Sequence, residues 1–248
     1  MKKIAIFGGS GTTGLCAVDA ALKKGLAVRA LARDPSKFPE DVRSKLEVIQ
    51  GDVLNYDDVK KTVEGVDGAV IVLGTRNDIK PTTMMSEGTK NVLNALKEAG
   101  IKPVSGCMSS FLFKQLEEVT PMLRDLTKDH QRMLEALKSS DRDWIAVCPP
   151  HIEGTEISWP AIRSLANSGH GVTGVLAATA MSVLWLGRKV LKPFSSSENK
   201  PSSNYELKHG SSPGRAISKH DLGFFLVDCL DKPEHYHQMV GIAKPLPA

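Results

Sequence analysis

Short apolar runs alternate with longer segments of helical period from the first residues onward. Residues 3–7, 27–32, 46–50, 69–73, 103–108 and 144–148 read as strands, and 12–24, 56–64, 82–99 and 128–139 read as helices. Apolar strands separated by helices predict βαβ units, in which a parallel sheet is covered by helices on both faces. After Pro149-Pro150 this rhythm breaks, and no clear βα unit follows between residues 159 and 204. Order is expected to return at Ile217-Ser218-Lys219-His220-Asp221, with 222–230 as a closing helix and Ser218 to Asp221 as its S-x-x-D cap.

The first connection carries chemistry. Gly8-Gly9-Ser10-Gly11-Thr12-Thr13-Gly14 follows a strand and opens a helix, with glycines spaced GxxGxxG. Glycines there let the backbone turn sharply against a pyrophosphate, whose charge then faces the helix N-terminus. The expected fold is therefore α/β: a Rossmann-type doubly wound parallel sheet, a single NAD(P)-binding domain over 1–248. Arg33 stands where an NAD-binding protein would place an acid for the ribose hydroxyls. A guanidinium at that point grips a 2′-phosphate with two parallel bonds, and Lys37 adds a second cation nearby. Asp34 could serve an NAD ribose, but its place before Pro35 suits a turn residue. The expected cofactor is NADPH/NADP+. Ligands lie beyond the carboxyl edge of such a sheet, so Gly51-Asp52-Val53, Leu73-Gly74-Thr75-Arg76, Cys107-Met108-Ser109 and Pro149-Pro150-His151-Ile152 become further candidate contacts.

Composition narrows the partners. A net charge of +4 is too mild to imply a nucleic-acid binder, though it favours anionic small molecules. Residues 188–219 hold seven Lys/Arg against two Asp/Glu, so the surplus lies there. Cys16, Cys107, Cys148 and Cys229 are scattered, with no CxxC pair or His-Cys cluster, which excludes a zinc finger and fits free thiols in a reducing cytoplasm. Met1-Lys2-Lys3 runs straight into a short apolar strand and has no signal-peptide core. The uncharged stretch 172–187 falls short of the ~20 residues that span a bilayer, so no stable membrane insertion is expected.

Tyr56-Asp57-Asp58-Val59-Lys60 spells YxxxK, the dyad with which short-chain dehydrogenases protonate a carbonyl oxygen. In those enzymes it follows the fifth strand. Here it follows the third, near the adenine end, and reads as an ordinary helix start. The helix after the fifth strand offers Asp129-His130-Gln131-Arg132 and no tyrosine. That pattern suits acceptors that take hydride without a strong protein acid: flavins, quinones and conjugated tetrapyrroles.

Several longer runs carry a resemblance. Gly74-Thr75-Arg76-Asn77-Asp78, Pro81-Thr82-Thr83-Met84-Met85-Ser86-Glu87-Gly88, Asp129-His130, Pro149-Pro150-His151-Ile152 and Ile217-Ser218-Lys219-His220-Asp221-Leu222-Gly223 resemble the NADPH-dependent flavin reductases also known as biliverdin reductase B (biliverdin-IXβ reductase). The similarity covers residues 1 to about 157 and 205 to 231. These proteins are atypical members of the short-chain dehydrogenase superfamily, monomeric and cytosolic. They reduce flavins such as FMN and riboflavin, and biliverdin-type linear tetrapyrroles in heme catabolism. The resemblance implies cofactor contacts at Gly8, Ser10, Gly11, Thr13, Arg33, Lys37, Asp52, Val53, Leu73, Gly74, Arg76, Met85, Cys107, His130, His151 and Ile152. The chain departs from the pattern at about 159–204, where an extra segment, partly apolar and then Ser/Pro-rich, is expected to be a peripheral insertion on the substrate side.

Ser109, just past the fifth strand, and His151, aimed by two prolines, are the candidate catalytic residues. Arg124 and Arg215 are candidate cations for propionate or phosphate groups. A non-catalytic NADP(H)-binding redox sensor is one alternative. A thiol-based transferase of nitroso groups, using Cys107 and Cys229, is another.

Overall fold

The computed structural model describes residues 1–76, 78–154, 201–202 and 204–245. Its elements run β1 (Lys3–Phe7), α1 (Thr12–Lys23), β2 (Ala27–Ala32), α2 (Glu40–Arg43), β3 (Glu47–Gln50), α3 (Tyr56–Val63), β4 (Gly68–Ile71) and α4 (Met84–Glu98). The second part continues with β5 (Pro103–Cys107), α5 (Arg124–Ser139), β6 (Asp143–Cys148), β7 (His151–Glu153), β8 (Glu206–His209), β9 (Ala216–Ser218), α6 (Lys219–Asp228) and β10 (Gln238–Ala243). The expected insertion, 159–204, and its apolar stretch 172–187 lie outside the described residues, apart from Pro201, Ser202 and Asn204.

The main sheet has the order β3-β2-β1-β4-β5-β6-β10-β8. Every pairing in it is parallel except β10 with β8. Strand order reverses between β1 and β4, which opens a crevice at the carboxyl edge where such folds take their ligands. The alternation of β1 shows how two cores form. Ile4 and Ile6 point into one cluster with Ala17, Val18, Phe225 and Leu226, under α1 and α6. Ala5 and Phe7 point into the other, with Val59, Leu96, Met133 and Leu137 under α3, α4 and α5. Successive side chains leave a strand on opposite faces, so one apolar strand serves both layers.

Differences from the sequence reading fall at ends and in the last third. α5 starts at Arg124 rather than at residue 128, because a short 3-10 turn from Pro121 to Leu123 leads directly into it. The closing helix starts at Lys219, capped by Ser218, whose hydroxyl oxygen accepts the His220 and Asp221 amides at 3.1 and 3.2 Å. β10 was not expected. It is the inner neighbour of β6, with Val240, Ile242 and Ala243 fully buried. β7 and β9 form a separate two-stranded parallel ribbon that pairs His151 with Ala216 and Ile152 with Ile217. Among the described residues, no helix is long and apolar enough to cross a membrane.

α4 is held at both ends by later parts of the chain. Its N-cap Thr83 makes no side-chain cap. Instead the buried Asp129 of α5 accepts the Met85 amide at 3.1 Å and the Ser86 hydroxyl at 2.5 Å. At the other end Arg142, 3% exposed, donates to the carbonyls of Ile101 at 2.6 Å and Leu96 at 3.4 Å. An anion thus meets the positive end of the helix dipole and a cation the negative end.

Candidate cofactor and substrate site

The loop from β1 to α1 is shaped by what its glycines lack. Gly8 has φ +85°, and a Cβ there would stand 2.2 Å from the Val72 carbonyl oxygen. A Cβ on Gly14 would stand 2.1 Å from the Gly8 carbonyl oxygen. Only glycine permits so tight a coil. The Gly11 amide closes it on Gly8 O at 3.0 Å. Ser10 and Gly11 are half-buried and Thr13 is buried. α1 then begins without a side-chain cap and without an acid in its first turn. Its leading amides remain available to an anion, so these residues fit a dinucleotide pyrophosphate.

At the end of β2, Arg33 and Lys37 are exposed, and neither side chain pairs with any described residue. Asp34 is committed to the turn. Its carboxylate accepts the Ser36 amide at 3.0 Å and the Ser36 hydroxyl at 2.6 Å. These bonds, with Lys37 and Arg76 close by, hold it below the usual carboxylate range. Arg76 is exposed and adopts a left-handed φ of 53° in the β4–α4 connection. Three cations, Arg33, Lys37 and Arg76, therefore flank one corner of the crevice.

Next along the edge, Asp52 turns its carboxylate onto the Leu54 amide at 3.0 Å. Val53 is 8% exposed, and its carbonyl accepts Asn91 Nδ2 at 2.9 Å. Leu73 is half-buried, Gly74 exposed and Met85 buried. α4 comes close to this wall, since a Cβ on Gly88 would meet Val53 at 2.8 Å and Leu73 at 3.0 Å.

The β5–β6 side carries the candidate chemistry. Ser109, half-buried, follows β5, and its hydroxyl oxygen accepts the Phe111 amide at 3.2 Å. This fixes the oxygen and leaves the hydroxyl proton free to donate. His151 is exposed on β7, and its amide donates to the Arg215 carbonyl at 3.2 Å. The ribbon thus sets His151, Ile152 and the exposed Arg215 side by side. His130, partly exposed on α5, is pushed down to about 4, mainly by desolvation, so its imidazole is neutral near pH 7. Arg124 is placed differently from the free cation expected. Its guanidinium holds the carbonyls of Val119 at 3.0 Å and Glu117 at 2.9 Å, which anchors the loop ahead of α5.

The thiols do not form a reactive pair. Cys107 and Cys229 are buried, and desolvation pushes Cys107 up to about 12 and Cys229 higher still. A thiol kept protonated is a poor nucleophile, so nitroso-group transfer finds no support in this placement. All four cysteines are free. Among the described residues no group of three or more His, Cys, Asp or Glu is arranged to hold a metal.

Tyr56 and Lys60 lie away from the β5–β6 edge. Tyr56 OH donates to Glu98 Oε1 at 2.7 Å, and Lys60 Nζ meets Glu98 Oε2 at 2.9 Å. The bond to Glu98 pushes the phenol up to about 12, the reverse of what an acid catalyst needs. One structural role escaped the sequence reading. Asp129, beside His130, binds Met85 and Ser86 from 44 and 43 positions away, a role that no local pattern displays.

A glycine cradle, an uncapped helix N-terminus and a cationic corner at the strand-order reversal define a dinucleotide-binding α/β protein. Residues 8–174, two thirds of the chain, match the NAD(P)H-binding family, and the chain belongs to it. A 3-beta-hydroxysteroid dehydrogenase of Mycolicibacterium neoaurum is 31% identical over 115 residues, which cover 41% of this chain and 30% of that protein's length. Solved structures of similar fold include a wide-type short-chain dehydrogenase/reductase from Veillonella parvula in complex with NADP. It has a TM-score of 0.65 and 12% identity, covering 98% of this chain and 95% of its own. ChuY, an anaerobillin reductase from Escherichia coli O157:H7, has a TM-score of 0.67 and 12% identity, with all of both chains covered.

Proposed function

We propose that this chain is an NADPH-dependent reductase that delivers hydride to oxidised flavins (FMN, riboflavin) and to biliverdin-type linear tetrapyrroles. The observation that carries the reading is the missing phenol acid. Tyr56 is bound to Glu98 on the α3–α4 surface, and α5 contains no tyrosine. A conjugated acceptor delocalises the incoming charge, so positioning rather than a strong acid can supply much of the rate. The neighbouring fold of an anaerobillin reductase is compatible with such an acceptor.

In this reading Arg33, Lys37 and Arg76 bind the 2′-phosphate, and the first turn of α1 binds the pyrophosphate. The cofactor supplies the hydride. Asp52 and Val53 line the adenine side, while Leu73, Gly74, Met85, Cys107, His130 and Ile152 approach the nicotinamide side. Ser109 donates a hydrogen bond from its hydroxyl to ligand or to an ordered water, and His151 donates one from a ring N–H on the β7–β9 ribbon. Arg215, beside His151, receives carboxylate or phosphate groups of the substrate. Solvent provides the proton that completes reduction. A monomer in the cytoplasm, with its four thiols free, fits this chemistry.

NADPH absorbance followed with FMN, riboflavin or biliverdin, and without acceptor, tests the proposal. Acceptor-dependent oxidation is expected, with deuterium passing from labelled NADPH to the reduced tetrapyrrole carbon. Tight NADPH binding with no oxidation by any of these acceptors would overturn it in favour of the sensor.

A further inference from the structure

We infer that Asp129, with Arg132, is a positioning residue for the nicotinamide half of the bound cofactor. The carboxylate is fully buried and takes four hydrogen bonds. Oδ2 accepts the Met85 amide at 3.1 Å, and Oδ1 accepts the Ser86 hydroxyl at 2.5 Å. Arg132 completes the set, donating to Oδ1 from Nε at 3.2 Å and Nη2 at 3.0 Å. Nη2 of Arg132 also reaches the Thr82 carbonyl at 2.7 Å. The two side chains of α5 therefore grip three successive parts of the α4 entrance: Thr82, Met85 and Ser86. Thr83 makes no side-chain cap, and the Thr82 hydroxyl oxygen accepts only the Met84 amide at 3.1 Å, so the grip caps the next two residues of α4.

The location gives the grip its consequence. α4 leaves β4 and α5 follows β5, and the edge above these two strands lies on the nicotinamide side of the strand-order reversal. Asp129 adjoins His130, the neutral imidazole of that wall, and binds the backbone of Met85, the buried residue of the opposite wall. Its negative charge occupies the positive end of α4, so this helix end does not compete with α1 for the cofactor's phosphates. The clamp fixes the width between α4 and α5 without touching the cofactor.

Arg142 provides the internal control. It caps the far end of the same helix, is as deeply buried, and faces the opposite edge of the sheet. The inference rests on NADP(H) binding alone, and its test reads binding, so failure of the reductase reading would leave it standing. The probes are NADP+, which spans both halves, and 2′,5′-ADP, which occupies only the adenine half. For Asp129→Asn, NADP+ affinity should fall about tenfold, the scale of a lost charge-assisted bond. 2′,5′-ADP should stay within about twofold. Arg142→Lys should lower Tm and move neither ligand. Arg132→Met removes the outer, partly exposed arm and should repeat the selective loss of NADP+ even if the Asp129 variant does not fold. Equal losses for both ligands, unchanged affinities in Arg132→Met, or the same selective loss in Arg142→Lys would overturn the inference.

Discussion

On the β1–β3 side of the sheet, the ligand edge is built from main chain and from exposed cations. Gly8 and Gly14 make the cradle, α1 offers uncapped amides, and Arg33, Lys37 and Arg76 form no salt bridge among the described residues. On the β5–β6 side several polar groups are already engaged by protein. Ser109 accepts an amide, Arg124 holds two carbonyls, and Asp129 takes four donors. The first side gains affinity by meeting fixed charge with free charge. The second spends its charges on fixing the backbone around the edge.

The contrast is broken most completely at residue 14. Gly14→Val would drive a Cβ to 2.1 Å from the Gly8 carbonyl oxygen, leaving no room to relax. NADPH affinity should fall by more than about 100-fold, as overpacking of this severity distorts the loop. Titration calorimetry, with circular dichroism as the fold control, reads it; affinity retained within tenfold would mean that the pyrophosphate is held elsewhere. Arg33→Ala sharpens the charge side of the comparison. It should weaken NADPH by ~1.5–3 kcal/mol and leave NADH almost unchanged. Equal losses would remove Arg33 from the 2′-phosphate.

On the other side, protonation is the probe. His130 is depressed to about 4 from 6.5, so the unfolded chain binds the proton more readily between those values. Stability should therefore be complete above pH 6.5 and decline as pH falls toward 4, by roughly 2 kcal/mol allowing for solvent at the ring. Denaturant titrations of His130→Gln should lack this part of the acid limb; an unchanged limb would show that another group carries it. The smallest effect is expected at Tyr56. Tyr56→Phe loses an exposed bond to Glu98, and both stability and NADPH oxidation should stay within ~0.5 kcal/mol of the parent. A large loss of turnover would restore the YxxxK reading.

The same contrast decides what could be read from the residues. Cradle, helix start and the cations Arg33 and Lys37 lie within 30 residues of one another, and their spacing shows them. β1 to β6 follow the expected alternation to within a few residues at their ends, because burial on both faces writes them as apolar runs. β10 was missed because Gln238–Ala243 follows a polar, histidine-bearing turn and begins with an exposed glutamine. Its strand character comes from the pairing with β6. Asp129 and Arg124 were unreadable as structural anchors for a related reason. A carboxylate or guanidinium looks alike in sequence whether it waits for ligand or holds a distant backbone group. Ser218 was legible because its cap is completed within three residues.

The charges that bracket α4 both come from chain synthesised after it. A 15-residue helix whose N-cap Thr83 makes no side-chain bond, and whose local capping is one bond from the Met84 amide to the Thr82 hydroxyl, is marginal in water, and tertiary docking must supply the rest. Asp129 and Arg142 arrive with α5 and the turn into β6, so α4 and α5 should gain and lose order together as one cooperative unit. The amides of Met85 and Ile101, at opposite ends of the helix region, would then exchange with solvent at rates set by the same opening event, rather than by fraying from either end.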